Sequence, residues 1–232
     1  FSLKNSFKVS RAEGSTVPSS ASSIEASPGV PGAALIFNPL LNVKDNNDDY
    51  VVENHTVGND LQPLDELQTN YPLLSPVAQT KYTQSDVQNT RFFNNLSLDF
   101  GIIDNLLFRI TVGLDAQFNE EAIFASEALN PASPGNGFGA TAKLQKLNCG
   151  NEYTLRYETS LGSNGMLNGL AGFSMQGFNS ELLSGQSVGF ENESRGYHNL
   201  RVGQNKSINS NLFESQLVSV FTRWRYSINS KY

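Results

Sequence analysis

Residues 106–118, LLFRITVGLDAQF, put an apolar side chain at every even position from Phe108 to Phe118, through Ile110, Val112, Leu114 and Ala116. The odd positions hold Arg109, Thr111, Gly113, Asp115 and Gln117. Successive side chains on a strand point to opposite faces, so this is a strand with one apolar and one polar side. It is also longer than the five or six residues of an ordinary strand. What covers the apolar side, protein or lipid, decides the class of molecule.

The same period recurs along the chain. FSLKNSFKVSR (1–11) carries Phe1, Leu3, Phe7 and Val9 on odd positions and reads as a strand whose beginning is cut away. RFFNNLSLDFGI (91–102) carries Phe92, Leu96, Leu98, Phe100 and Ile102 on even ones. EYTLRYETSL (152–161) and LNGLAGFSMQ (167–176) flank turn chemistry at GSNGM (162–166), with Tyr153, Leu155, Tyr157, Leu161, Leu167, Ala171, Phe173 and Met175 on one parity. FGATAKLQKLN (138–148) extends this hairpin. ESQLVSVFTRWRYSI (214–228) is the last strand, with Val218, Val220, Trp224, Tyr226 and Ile228 on the even face, and it runs into a turn at NSK (229–231). These segments predict about six antiparallel strands.

The connection at 103–105 fixes a register. A two-residue loop would set Phe100 against Arg109, whereas a three-residue loop sets Ile102 against Leu106, Phe100 against Phe108, Leu98 against Ile110 and Leu96 against Val112. A one-residue slip inverts every side chain, so the second register is expected, with Asn105 in the left-handed conformation.

Loop lengths segregate. Tight turns are expected at 103–105, 162–166 and 229–231. Long polar connections are expected at 12–90, 119–150 and 179–211, the first with a short helical turn near GAALIF (32–37). Outer-membrane barrels have this asymmetry, with short periplasmic turns and long external loops. Phe108 to Phe118 spans about 33 Å along a strand. Tilted by about 40°, that projects to about 25 Å, the height of a barrel's lipid-facing band. Phe100, Trp224 and Tyr226 then fall near the tight turns at one interface, with Phe92 and Phe118 at the other.

Composition agrees with this class. Only 16% of the 232 residues are charged, and the net charge is −6. Soluble domains carry about 25%. No Lys/Arg cluster offers a nucleic-acid surface. The single Cys149 excludes an intrachain disulfide or a Cys-based zinc site. No apolar run reaches the roughly 20 residues of a transmembrane helix.

Catalytic and metal-binding patterns are not found, no cofactor is expected, and the chain does not read as an enzyme. His55 and His198 fall in predicted loops, as do Asp45, Asp48 and Asp49, which lack the spacing of a calcium loop. GNGFG (135–139) lacks the flanking strand and helix of a nucleotide loop. Sequons at Asn54, Asn95, Asn192 and Asn205 include one inside a predicted strand and read as chance. Recognition then falls to the external loops, with Tyr50, Phe138 and Tyr197 as candidate ligand contacts.

Taken together, FNPLLNVKDNNDDY (37–50), RFFNNLSLDFGIIDNLLFRITVGLD (91–115), EYTLRY (152–157), LAGFSMQ (170–176) and TRWRYSINSKY (222–232) resemble, in order and spacing, the middle of the β-barrel of SusC/RagA-type TonB-dependent outer-membrane receptors. SPVAQT (75–80) departs from the Asn-Pro-Leu-Ala-like piece of that pattern. The resemblance implies that 1–232 is one segment of a transmembrane β-barrel, all-β, whose plug domain and remaining strands lie outside this chain. It implies import of oligomeric glycans or peptides across a bacterial outer membrane, with a SusD-like lipoprotein on the external face and TonB acting through the plug. Phe100, Phe108, Ile110, Val112, Leu114, Phe118, Leu155, Tyr157, Val218, Val220, Trp224 and Tyr226 would then face lipid. The alternatives are a soluble β-sandwich carbohydrate-binding module and a passive porin or adhesin-type barrel.

Overall fold

The computed structural model describes residues 1–16, 29–37, 39–40, 42–52, 75–129, 137–162 and 164–228. They form one antiparallel meander of six strands in sequence order: β1 (Ser2–Ser15), β2 (Thr83–Ile103), β3 (Leu106–Ala125), β4 (Phe138–Leu161), β5 (Gly165–Val188) and β6 (Asn205–Ile228). Two short helices, α1 (Gly29–Ile36) and α2 (Pro76–Tyr82), lie in the β1–β2 connection, with α1 against α2. Ser75 caps α2, its hydroxyl oxygen accepting from the Ala78 N–H at 3.4 Å, and Pro76 opens the helix where no N–H is needed.

The expected register holds where it matters. Phe100 lies against Phe108, Leu98 against Ile110 and Leu96 against Val112. The turn itself differs. Leu106 pairs with Ile103, and the ladder shifts between Gly101 and Ile103. The extra residue is therefore taken up by a bulge around Ile102, leaving Asp104–Asn105 as a two-residue connection. Asn105 does not take a positive φ, because the bulge has already supplied the turn that a left-handed residue would have made. Asn105→Ala is thus expected to leave stability within about 0.5 kcal/mol of wild type by heat or denaturant melting. A Cβ penalty at a left-handed site would give more.

The strands run further toward the long-connection end than their apolar period. β2 begins at Thr83, β3 continues to Ala125, β4 is continuous from Phe138, β5 reaches Val188 and β6 starts at Asn205. Residues 119–125, 149–150, 179–188 and 205–211, expected as loop, are therefore strand, while 138–148 extends the hairpin as expected, and the connections shrink to 16–82, 126–137 and 189–204. The asymmetry survives: the described connections at the other end are Asp104–Asn105 and the short turn between Leu161 and Gly165. The 229–231 turn, His55 and Asn54 lie outside the described residues.

Candidate functional site

Opposed residues in a ladder share a face, so the register sorts every strand side chain. One face carries Phe1, just before β1, and Leu3, Phe7 and Val9 of β1, together with Leu98, Leu96 and Phe92 of β2; Leu3 is paired with Leu98 and Val9 with Phe92. It continues through Phe100–Phe108–Leu155–Ala171, Ile110–Tyr153–Phe173–Val220 and Tyr157–Gly169–Trp224. Aromatic rings join neighbouring strands across it: Phe1–Phe100 at 5.4 Å, Phe7–Phe92 at 5.2 Å and Tyr153–Phe173 at 6.3 Å. The Trp224 ring lies over Gly169, where an added Cβ would come within 2.5 Å of it. All twelve residues expected to face lipid share this surface. Nothing among the described residues covers it at mid-strand: Val112 is 42% exposed and Val220 82%.

The band is oblique. Val218 lies in the row Val112–Asn151–Met175–Val218, yet on this face of β6 it is followed by Gln216 and Glu214, with apolar residues again only at Leu212 and Ile208. On β3 the band continues six residues past Val112 to Phe118. On β2 it ends at Phe92, four residues past Leu96 of the same row. With about 3.4 Å per residue and 4.8 Å per strand, these slopes correspond to a tilt of roughly 35–55°. Barrel strands cross a flat apolar slab at about 35–45°.

The opposite face is polar. Asp99 and Arg109 are directly opposed and joined by two bonds of 2.5 and 2.9 Å. Arg91 and Asp115 make a second fork at 2.9 and 2.7 Å. The hydroxyls of Ser97 and Thr111 meet at 3.3 Å.

Past the apolar band, both faces are clothed by protein. On the polar face, α2 and the turn Glu127–Leu129 bring Ala78, Ala125 and Leu129 into a small core with Tyr50, Val52, Tyr82 and Phe138 packed on it. On the other face the β5–β6 connection folds back as a strap across β3, β4 and β5, with a 3₁₀ segment at Gly196–Val202. Phe190 stacks edge-on against Phe124 at 5.3 Å, and Leu200 crowds the same spot over Gly139. Glu193 reaches the β3–β4 connection, accepting from the Ser126 hydroxyl at 2.5 Å and the Glu127 N–H at 2.7 Å. The Gly137 hydrogen is all that fits beneath that carboxylate, since a Cβ would sit 2.2 Å from it.

The Tyr197 hydroxyl donates to the Asp86 carboxylate on β2 and latches the strap's far end. That bond, with burial and the charge of Asp86, raises the Tyr197 pKa above its ordinary value. A raised tyrosine pKa favours the docked strap up to the unfolded pKa near 10, and the contribution is lost as pH rises through the higher docked value. Protease protection of 189–204 is therefore expected to fall at strongly alkaline pH. Tyr197→Phe should lower protection by about 1 kcal/mol at neutral pH and flatten that alkaline step.

The three candidate ligand contacts do not converge. Tyr50 meets Tyr82 edge-on at 6.0 Å with Lys44 over its ring at 5.2 Å, and it shares the polar-face core with Phe138. Tyr197 lies on the opposite face, beside His198, at an open cleft of about 660 Å³ that also holds Glu13, Asp86, Glu120 and Lys143. The polar face has its own cleft of about 560 Å³, lined by Ser85, Glu121, Ser184, Gln186, Ser207 and Asn209. The Asp-rich stretch folds on itself: Asp45 accepts from the N–H groups of Asn47 and Asp49, and Lys44 pairs with Asp48 at 2.7 Å. Sequence reading missed the strap. Its signals were Phe124, which continues the even period of β3, and the glycines at 189 and 196, both at positive φ.

No protein-family model matches the chain. A curated TonB-dependent receptor, P26 of Formosa agariphila, is 24% identical over 169 residues, covering 69% of this chain and 17% of the relative. Solved structures of the RagAB peptide transporter and of its importer in the open-open state superpose with TM-scores of 0.71 and 0.73 at 15% identity. Each covers 98% of this chain, which spans 24% of the matched chain. The six consecutive strands therefore have the fold of the matched stretch of the RagAB structures, and the chain is similar in sequence to part of a TonB-dependent receptor.

Proposed function

We propose that this chain is wall of a β-barrel in an outer-membrane TonB-dependent importer of oligomeric nutrients. The observation that carries the proposal is the oblique apolar band, uncovered at mid-strand by any of the described residues, running across all six strands. In this reading Phe100, Phe108, Ile110, Val112, Leu114, Phe118, Leu155, Tyr157, Val218, Val220, Trp224 and Tyr226 meet acyl chains and headgroups. The ion-paired face lines the lumen, where charge carries little desolvation penalty. The strand ends clothed on both faces stand outside the bilayer and carry the connections that meet a SusD-like lipoprotein. The cargo is an oligomer, glycan or peptide; the likeness to a peptide transporter supports the second without choosing it. TonB acts through parts of the receptor outside these strands. The segment performs no bond chemistry.

The test is fractionation of native cells with an antibody to residues 12–90, run with and without boiling. A heat-shifted outer-membrane band much larger than 25.4 kDa is expected. A soluble band at the size of this chain would replace the reading with a soluble binding module.

A further inference from the structure

Phe118 ends the apolar band on β3, and the next residue on the same face is Glu120. Glu120 belongs to the row Glu13–Gln88–Glu120–Lys143 across β1 to β4, with Asp86–Ala122–Thr141 in the row beyond. These two rows floor the open cleft of about 660 Å³, and Tyr197 and His198 line its strap side. Two residues of strand are about 7 Å, or about 5 Å along the bilayer normal at a tilt of about 40°. The polar headgroup layer is about 5–7 Å deep on each side of the hydrocarbon. The cleft therefore begins at headgroup level, on the side of the wall that carries the apolar band.

Its polar groups do not make an ion site. Lys143 is taken by Glu120 at 2.9 Å, and Arg11 pairs with Glu13. Asp86 accepts from Gln84 at 3.2 Å and from Tyr197. No lysine or arginine is left over in the cleft for a phosphate, and among the described residues no group of side chains is placed to hold a metal. These bonds go to Oε1 of Glu13, Oδ2 of Asp86 and Oε1 of Glu120, so each carboxylate keeps its other oxygen as a fixed acceptor. Beside them stand the Gln88 amide, the Thr141 hydroxyl and the rings of Tyr197 and His198, whose centroids lie 4.2 Å apart. Sugar hydroxyls donate to such carboxylates and accept from amides. The C–H face of a sugar packs on an aromatic ring, which offers an apolar body with a polar tip.

We propose that this cleft holds a neutral sugar of an outer-leaflet glycolipid, whose acyl chains lie on the apolar band below. The inference rests on the lipid assignment above. Cargo crossing the lumen passes along the other face of the wall, whereas a glycolipid headgroup is presented to this one continuously. The bound sugar bridges the strap to β2 and β3 and adds to its two polar latches.

The test uses the full-length receptor reconstituted in phosphatidylcholine vesicles, with and without lipopolysaccharide extracted from the same bacterium. The readout is proteolysis within 189–204. Lipopolysaccharide is expected to slow cleavage at least fivefold, since a ligand of the docked strap stabilises it by mass action. The core oligosaccharide released from its lipid is expected to leave the rate unchanged at equal concentration, because only the anchored sugar is concentrated beside the cleft. Lipid A stripped of core sugars is expected to leave it unchanged as well. Gln88→Leu/Thr141→Val alters neither the Phe124–Phe190 contact nor the Tyr197–Asp86 latch. It is expected to keep the heat-shifted band and to lose the protection. Equal cleavage of the wild type with and without lipopolysaccharide overturns the proposal. So does full protection by lipid A, which would make phosphate the ligand, or by the free oligosaccharide, which would make the cleft a site for soluble glycans. Protection retained in the double variant overturns it too, by placing the sugar elsewhere. Where the double variant does not assemble, the three probes on the wild type decide. A wild-type receptor that enters neither kind of vesicle would remove the lipid assignment itself.

Discussion

Val112→Arg is expected to block barrel assembly, while Thr111→Arg, one residue away, is tolerated. Val112 occupies the middle of the apolar band on β3, flanked in its row by Leu96 and Asn151. A guanidinium at the midplane of a barrel's lipid face costs about 2–4 kcal/mol, and no carboxylate on that face lies in its row to offset it. Thr111 points to the other face, opposite Glu152, where an arginine gains a cross-strand partner and remains hydrated. The measurement is the heat-shifted fraction in isolated outer membranes, with urea titration of the purified barrel. Equal assembly of both variants would mean that Val112 meets water, and the lipid assignment of all twelve residues would fall with it. A loss confined to Val112→Arg separates the bilayer from a sheet merely exposed at both faces.

The register of β2 and β3 was legible because lipid or a core on one side enforces a period of two. Leu96, Leu98 and Phe100 can meet Val112, Ile110 and Phe108 in only one alignment that keeps a face apolar. The bulge at Ile102 was not legible, since it changes the path of the turn without changing which residues share that face. The strand extensions were hidden for a related reason. Past Phe118 come Asn119, Glu120 and Glu121, which interrupt the period before Ala122 and Phe124 resume it, and past Met175 come Gln176 and Gly177, with the next apolar residue, Phe178, on the opposite face. These lengths are set by ladder hydrogen bonds, which any non-proline sequence can make. The α2 helix did leave a trace, in Ser75 followed by Pro76, a cap and an N-terminal proline inside a segment that otherwise reads as loop. The candidate contacts fared unevenly for the opposite reason. Aromatic type marks a recognition residue and a packing residue alike, and Tyr50 and Phe138 are engaged in the small core beside α2.

Phe124→Ala is expected to undock the strap while the barrel stays assembled. Phe124 is 6% exposed and Phe190 3%, so the pair is the strap's main apolar anchor. Truncating a buried phenylalanine costs about 3–5 kcal/mol. That loss falls on residues 189–204 because the strands beneath keep their ladders on both sides: β3 pairs with β2 and β4 along its whole length. What remains to hold the strap is polar: Glu193 on the β3–β4 connection and Tyr197 on Asp86. Each is worth about 1.5–3 kcal/mol at most, and both lie where water competes for them. Limited proteolysis should therefore cut the variant within 189–204 at a rate at least tenfold above wild type, with the heat-shifted band unchanged. Phe190→Ala should reproduce the effect from the strap's side, and the double variant should add little, since the two rings serve one contact. Cleavage at the wild-type rate in both single variants would show that the polar latches alone hold the strap. Loss of the barrel band would show that the clothed strand ends are part of the assembly unit rather than an appendage to it.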